Sequence, residues 1–338
     1  MSFRVRSARG DDVASIYEMA KLTGGGFTNL PADRDTLVEK LERSDRSFAR
    51  TSDEQAGDLY MFVLEDPQAG VIRGTCQIFG KVGVVQPFYS YQLNTLTQKS
   101  PELGQTFHNQ LLNLTTDLEG CSEVGGLFLH LQARSGGWGA LLARSRYLFM
   151  KQHRSRFGDR TLAELRGVID EGGNSPFWDG LAGRFFDMSF PEADRFNAMH
   201  GTRFIADLMP RTPIYVALLD DAARAVIGLP HPSGIGALRM LEEEGFIYDR
   251  YIDIFDGGPT VTAPTDRIRT VQESTTETVA EVAGGGEQQM ILATGQLHDF
   301  VACRASVQST PDNGLIVDPE AARLLGVKPG DQVLAVAR

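Results

Sequence analysis

The residues whose types and spacing most clearly suggest chemistry lie in one glycine-rich junction. Gly126-Leu127-Phe128-Leu129 reads as a buried strand, Arg134-Ser135-Gly136-Gly137-Trp138-Gly139 as a turn, and Ala140-Leu141-Leu142-Ala143-Arg144 as the start of a helix. Such a turn aims unpaired backbone N–H groups outward at a helix N-terminus, where a phosphate is favoured. An arginine beside them suits a pyrophosphate. The glycines at 136, 137 and 139 miss the G-x-G-x-x-G spacing of dinucleotide folds, and no Gly-Lys-Ser/Thr follows as a P-loop would require. Taken alone, the pattern fits a phosphate site or an ordinary strand–glycine–helix junction. A second candidate is His231, directly before Pro232 at a helix start. Its pKa range suits proton transfer near neutrality, and its bland reading is a cap or a structural hydrogen bond.

The elements that must position these residues follow from periodicity and turn signals. Phe3 to Arg6 alternates as a first strand, and a helix follows from Gly10-Asp11-Asp12 to Lys21. The run Thr23 to Pro31 breaks it, and a second helix spans about Ala32 to Asp45. Leu59–Leu64 and Val71–Phe79 read as strands, whereas the Gln/Asn/Thr-rich stretch 82–122 reads as loop or irregular hairpin. Beyond the glycine junction, Thr161–Ile169 is a buried strand. Helices are then expected at Phe177–Met188, Pro191–Met199 and Ile214–Leu219, and an amphipathic one at Gly236–Glu244 closed by Gly245. Phe246–Phe255 is a strand. Residues 272–289 lack large apolar side chains and read as a flexible connection. A small β-rich unit with one short helix follows over 290–338.

Composition narrows the class. The chain has 338 residues, 42% hydrophobic, enough for one large domain with a small one beside it. A formal charge of −11 argues against non-specific binding to nucleic acid or anionic membrane. Cys76, Cys121 and Cys303 form no CxxC pair, so neither a zinc site nor a disulfide framework is expected. No signal-peptide core or membrane-length apolar run is present, and a cytoplasmic protein is expected.

The spacing Arg134-x-x-Gly137-x-Gly139 resembles the acyl-CoA signature of the GNAT acetyltransferase superfamily, and the order of elements agrees. More specifically, Thr23 to Asp33, Glu164 to Glu171, Ser175-Pro-Phe-Trp178, Phe204 to Arg211, Pro213-Ile-Tyr215, His231-Pro232 and Asp253 to Thr260 resemble the arginine N-succinyltransferase family over essentially the whole chain. The resemblance implies an α/β GNAT fold over 1–271, with a helical insertion at about 174–230, and a small C-terminal β-barrel-like domain. It implies transfer of succinyl from succinyl-CoA, a co-substrate rather than a bound cofactor, to the α-amine of L-arginine, or of ornithine in some members. No metal is implied.

The resemblance also assigns roles. His231 is the proton donor, Leu127 the acyl-CoA contact, and Arg134, Gly136, Gly137 and Gly139 the pyrophosphate turn. The loop Gly24–Leu30, with Thr28 and Asn29, would cover the acceptor, although its glycines also suit a merely permissive turn. The acceptor needs an anion for its guanidinium and donors for its carboxylate. Arg166 and Glu171 rank first there, ahead of Glu164 and Asp170; Arg211 or Tyr91 would serve the succinyl carboxylate. The chemistry is modest: freeing an α-amine of its proton at pH 7 costs about 1.4 kcal/mol. Ser135 stands where the family commonly has a lysine, His130-Leu131-Gln132-Ala133 replaces an Asp-Pro turn, Gln92 replaces a basic residue and Asn29 a serine. A homo- or hetero-oligomer with a family paralogue is expected; the rival readings are a non-catalytic or weakly active partner subunit of a heteromeric succinyltransferase, or an acyltransferase for a related amine.

Overall fold

The computed structural model describes residues 2–23, 29–201, 203–311 and 314–338. Its strands are β1 (Arg4–Ser7), β2 (Leu59–Asp66), β3 (Val71–Phe79), β4 (Ser90–Ser100), β5 (Gln105–Thr115), β6 (Ser122–Leu129), β7 (Arg160–Glu164), β8 (Ile214–Tyr215), β9 (Ile247–Asp253), β10 (Pro259–Pro264), β11 (Thr275–Val282), β12 (Gln288–Thr294), β13 (Val301–Ser309), β14 (Gly314–Val317) and β15 (Gln332–Ala337). Its helices are α1 (Val13–Lys21), α2 (Arg34–Ala49), α3 (Trp138–Gln152), α4 (Pro176–Gly180), α5 (Gly183–Phe186), α6 (Phe190–His200), α7 (Arg203–Leu208), α8 (Asp221–Val226), α9 (Ile235–Glu243), α10 (Arg269–Glu273) and α11 (Pro319–Leu325).

These strands join in one fifteen-stranded sheet, ordered β12-β15-β11-β14-β13-β1-β2-β3-β6-β7-β10-β9-β4-β5-β8. Its centre is apolar on both faces, as the almost wholly buried β2 requires. On one face α3 and α9 cover a core of Phe62, Leu141, Leu148, Phe149, Leu241 and Phe300. On the other, Ile16, Met19, Leu37 and Leu41 of α1 and α2 pack on Met61 and Val63. Aspartate fixes the start of α2, because Asp33 accepts the Thr36 N–H at 2.8 Å.

The inserted segment builds a core of its own. Phe177, Trp178, Phe190, Ile205 and Met209 pack against Tyr91, Ile252 and Ile254. The helix expected at Pro191–Met199 is present as α6, and two others depart from what periodicity suggested. The helix expected at Phe177–Met188 splits into α4 and α5, and the one expected at Ile214–Leu219 is β8 followed by a 3-10 turn.

Two stretches depart further from the sequence reading. The polar run in 82–122 holds β4 and β5, a hairpin of eleven residues on each strand. Residues 272–289, expected as a flexible connection, carry the end of α10 and all of β11. Pairing rather than apolar content orders β11: it lies between β14 and β15, and Val279 is its buried anchor. Strands β11 to β15 close into a barrel, because β12 pairs with both β15 and β13. The barrel is not hung on a tether. Its β13 pairs directly with β1, and Arg144 of α3 donates to the Ala337 carbonyl at 2.8 Å.

Candidate active site

The cleft begins where two strands part. β6 and β7 run parallel but pair only at Ser122 opposite Thr161 and Glu123 opposite Leu162. From Val124 to Leu129 the β7-facing edge of β6 has no ladder partner among the described residues; apart from the Gly125 and Leu129 carbonyls, which accept from Arg146 and Arg134, its backbone groups are open to a ligand's amides. An irregularity opposite Thr75 and Gln77 marks the same place. Gly126 sits in it at φ 57°, and a Cβ there would meet the Gln77 amide nitrogen at 2.7 Å. Leu127 is half-buried against the main core.

At the far end of β6 the glycine turn leads into α3. Gly136 and Gly137 are left-handed, at φ 80° and 77°. Gly137 is the N-cap and supplies no capping side chain, leaving the first N–H groups of α3 for an anion. Gly139 lies in the first turn. Arg134 is exposed and its Nε donates to the Leu129 carbonyl at 3.1 Å.

Four carboxyls gather at the other end of the cleft. Glu123 lies on β6, Glu164 ends β7, Asp253 ends β9, and Asp256 lies in the turn before β10. Burial raises all four above the ordinary carboxyl range. For Glu164 the charges of Asp253, Glu123 and Asp256 add to that, and its pKa stands well above normal. Asp256 is pushed up to about 7 by burial and by Asp253. Backbone donors hold two of them: Asp253 accepts from Phe255 and Asp256 N–H, and Asp256 from Gly167 and Gly258 N–H, at 2.6–2.9 Å. Asn29 Nδ2 donates to Glu123 at 2.9 Å, while its carbonyl accepts from Lys40 and Gln77. Burial brings the Lys40 ammonium down to about 8, opposed by Glu123. Among the described residues nothing hydrogen-bonds to the Glu164 carboxyl.

His231 stands beside this cluster. Its N–H donates to the Arg166 carbonyl at 2.7 Å, and the bridge Gly167–Pro230 brings the two segments together. β7 ends at Glu164 rather than at the expected Ile169 because the chain turns here to meet them. Ser233 occupies Nδ1 of His231, with Oγ at 2.7 Å and a backbone N–H donating at 3.2 Å. Nε2 is the nitrogen left for other partners. Burial and then the Arg166 charge lower the His231 pKa, so the resting imidazole is neutral at pH 7. The Arg166 guanidinium reaches the Thr23 carbonyl at 3.4 Å, its buried Nε has no partner among the described residues, and Asp256 and Asp194 act on it electrostatically.

The structure thus brings His231, Arg166, Glu164 and Asn29 together. Glu171 and Arg211 lie in exposed turns without a hydrogen bond to the cluster, and Asp170 closes its own turn onto Asn174. Tyr91 is buried in the core of the insertion. Thr28 lies outside the described residues. Sequence reasoning missed Glu123, Asp253 and Asp256 as a group. The available signal was an acid near the end of each of several neighbouring strands, most plainly in Asp253-Ile-Phe-Asp256-Gly-Gly.

A parting parallel pair between a glycine-capped helix and a cluster of buried carboxyls is an arrangement suited to an acyltransferase. The family model described as "Arginine N-succinyltransferase beta subunit" matches residues 3–270, and the model of that subunit's C-terminal domain matches 267–337. The chain belongs to this family. Arginine N-succinyltransferase subunit beta of Pseudomonas aeruginosa is 39% identical over 332 residues, covering 98% of this chain and 97% of the relative. Arginine N-succinyltransferase of Salmonella schwarzengrund is 41% identical over 338 residues, covering 98% and 96%. The solved structure of arginine/ornithine succinyltransferase subunit AI from Pseudomonas aeruginosa superposes with a TM-score of 0.91 at 34% identity, covering 99% of this chain and 98% of that one. Among the described residues no helix is long and apolar enough to cross a membrane.

Proposed function

We propose that this chain transfers succinyl from succinyl-CoA to the α-amine of L-arginine, with ornithine as a second acceptor. The observation that carries the reading is the cluster Glu123, Glu164, Asp253 and Asp256 at the thioester end of the cleft. A cationic amino acid supplies the charge that four crowded carboxyls lack, and its binding draws their pKa values down. Succinyl-CoA lies along the free edge of β6 with its pyrophosphate at Gly136 to Gly139 and Arg134. Arg166 would receive a carboxylate of either substrate, because among the described residues its guanidinium is the one cation adjoining His231 on this side of the cleft.

The acceptor arrives as an ammonium and gives up two protons. The first leaves before attack and passes to Glu164, whose raised pKa matches the task. The free amine then adds to the thioester carbonyl carbon. As the carbon–sulfur bond breaks, the nitrogen loses its second proton and the thiolate gains one from His231 Nε2. His231 rests neutral, so the proton it delivers is one taken from the acceptor. Products are the amide, free CoA and one proton to solvent. The reaction needs no covalent enzyme intermediate. We further infer an oligomer with copies of this chain or a paralogue, since relatives are named as subunits; light scattering on the purified protein tests it.

A thiol-release assay with succinyl-CoA or acetyl-CoA against arginine, ornithine and lysine tests the assignment. Arginine with succinyl-CoA should be fastest; faster turnover with acetyl-CoA would remove the succinyl assignment. His231→Ala should keep its melting profile and lose about 100-fold or more in kcat. Near-normal turnover in that variant would rule out the proton role.

A further inference from the structure

Two guanidinium groups from the C-terminal barrel converge on the glycine turn. Arg304 lies on β13 and Arg338 directly follows β15. Arg304 Nη1 donates to the Gly136 carbonyl at 2.6 Å, and Arg338 Nη2 approaches the same oxygen at 3.4 Å. A Cβ on Gly137 would fall 2.8 Å from Arg304 Nη2 and 3.1 Å from Arg338 Nη2. The Arg304 guanidinium also lies 4.2 Å from the ring centre of Trp138, the first residue of α3. That stack fixes its plane.

This arrangement is costly without an anion. Arg304 Nε and Nη2 are buried and have no hydrogen-bond partner among the described residues. Burial and the neighbouring Arg338 charge bring the Arg304 pKa down to about 10. No side-chain carboxylate is ion-paired with either group among the described residues, although the chain carries a net charge of −11. The fifteen-residue helix α3 begins at the same point without a capping side chain. Like charges, unsatisfied donors and a helix N-terminus all turn from unfavourable to favourable when a group with several anionic oxygens enters. Arg134, the cation that the turn itself supplies, is exposed and already anchored to Leu129.

We propose that Arg304 and Arg338 bind the phosphates of the acyl-CoA at the glycine turn, so that the C-terminal barrel forms part of the co-substrate site. The proposal rests on the acyl-CoA reading of the cleft. It assigns the barrel a binding role, and it places the cations that recognise the nucleotide on a different part of the chain from the signature.

Isothermal titration of CoA and of dephospho-CoA into the intact protein tests it, using Arg304→Gln, Arg338→Gln and the control Arg323→Gln. Arg323 is an exposed barrel arginine paired with Glu320, so its variant removes the same charge elsewhere. Arg304→Gln should weaken CoA about tenfold or more, Arg338→Gln severalfold, and Arg323→Gln not at all. The affinity of both affected variants should also depend less steeply on salt. An equal loss for CoA and dephospho-CoA assigns the arginines to the pyrophosphate, and a loss confined to CoA assigns them to the 3′-phosphate. Wild-type affinity in both variants would overturn the proposal, as would a lowered Tm in Arg304→Gln with an unchanged Kd. Failure of the wild-type protein to bind either ligand would instead overturn the acyl-CoA reading beneath it.

Discussion

Glu164 is the residue on which recognition and stability oppose one another. Among the described residues it has no hydrogen-bonded partner, and the charges of three other carboxyls act on it. Its folded pKa is raised, so the folded chain holds the proton more tightly than the unfolded one. Stability is therefore lost as pH rises from the unfolded value, about 4.3, through the folded one. Glu164→Gln keeps the shape and removes the charge. It should melt above wild type at pH 8, by an amount that shrinks towards pH 5, while its KM for arginine rises about tenfold or more. Thermal melts at the two pH values check the first part; a pH-independent difference would show that Glu164 carries no buried charge. Glu164 was legible in the sequence as a charge at a strand end. Glu123, Asp253 and Asp256 were not legible as its partners, because they lie on segments far apart in the chain and meet only once β9 and β10 fold beside β7.

Legibility of the elements followed their apolar content. The β6–α3 junction could be read directly, since buried strand, glycines and helix each leave a local signal. The hairpin β4–β5 leaves none. Beyond Leu93 most of β4 is exposed, so the two-residue apolar alternation is missing. β11 hides in the same way, with Val279 its buried residue in a run of Thr, Glu and Ala. Backbone requirements are sharper than either. Gly126→Ala would force a Cβ into a left-handed position and against Gln77, which holds the Asn29 carbonyl. The expected cost is about 1–2 kcal/mol per molecule in urea unfolding, together with weaker arginine binding. An unchanged midpoint would mean that the irregularity in β6 relaxes freely.

At the scale of the molecule, one sheet carries the barrel, the catalytic core and the insertion. Its strand order makes the join between β6 and β7 a narrow one, two residue pairs long. On one side lie β1 to β3 and the barrel; on the other lie β7, β10, β9 and the hairpin. Glu123 belongs to the first side, and Glu164, Asp253 and Asp256 to the second. Hydrogen exchange should show the consequence: those amides of 124–129 that do not pair with β3 exchange quickly in the free protein and slow when arginine and CoA are both bound. Unchanged rates there would mean that the join is rigid from the outset. The sheet is two plates sharing a short spine. The mutual repulsion of the four carboxyls sits on that spine, and on the proposed function one cationic acceptor relieves it from both plates at once. On the proposed function the acceptor acts as a latch as well as a reactant, and turning its α-ammonium into a neutral amide loosens that latch.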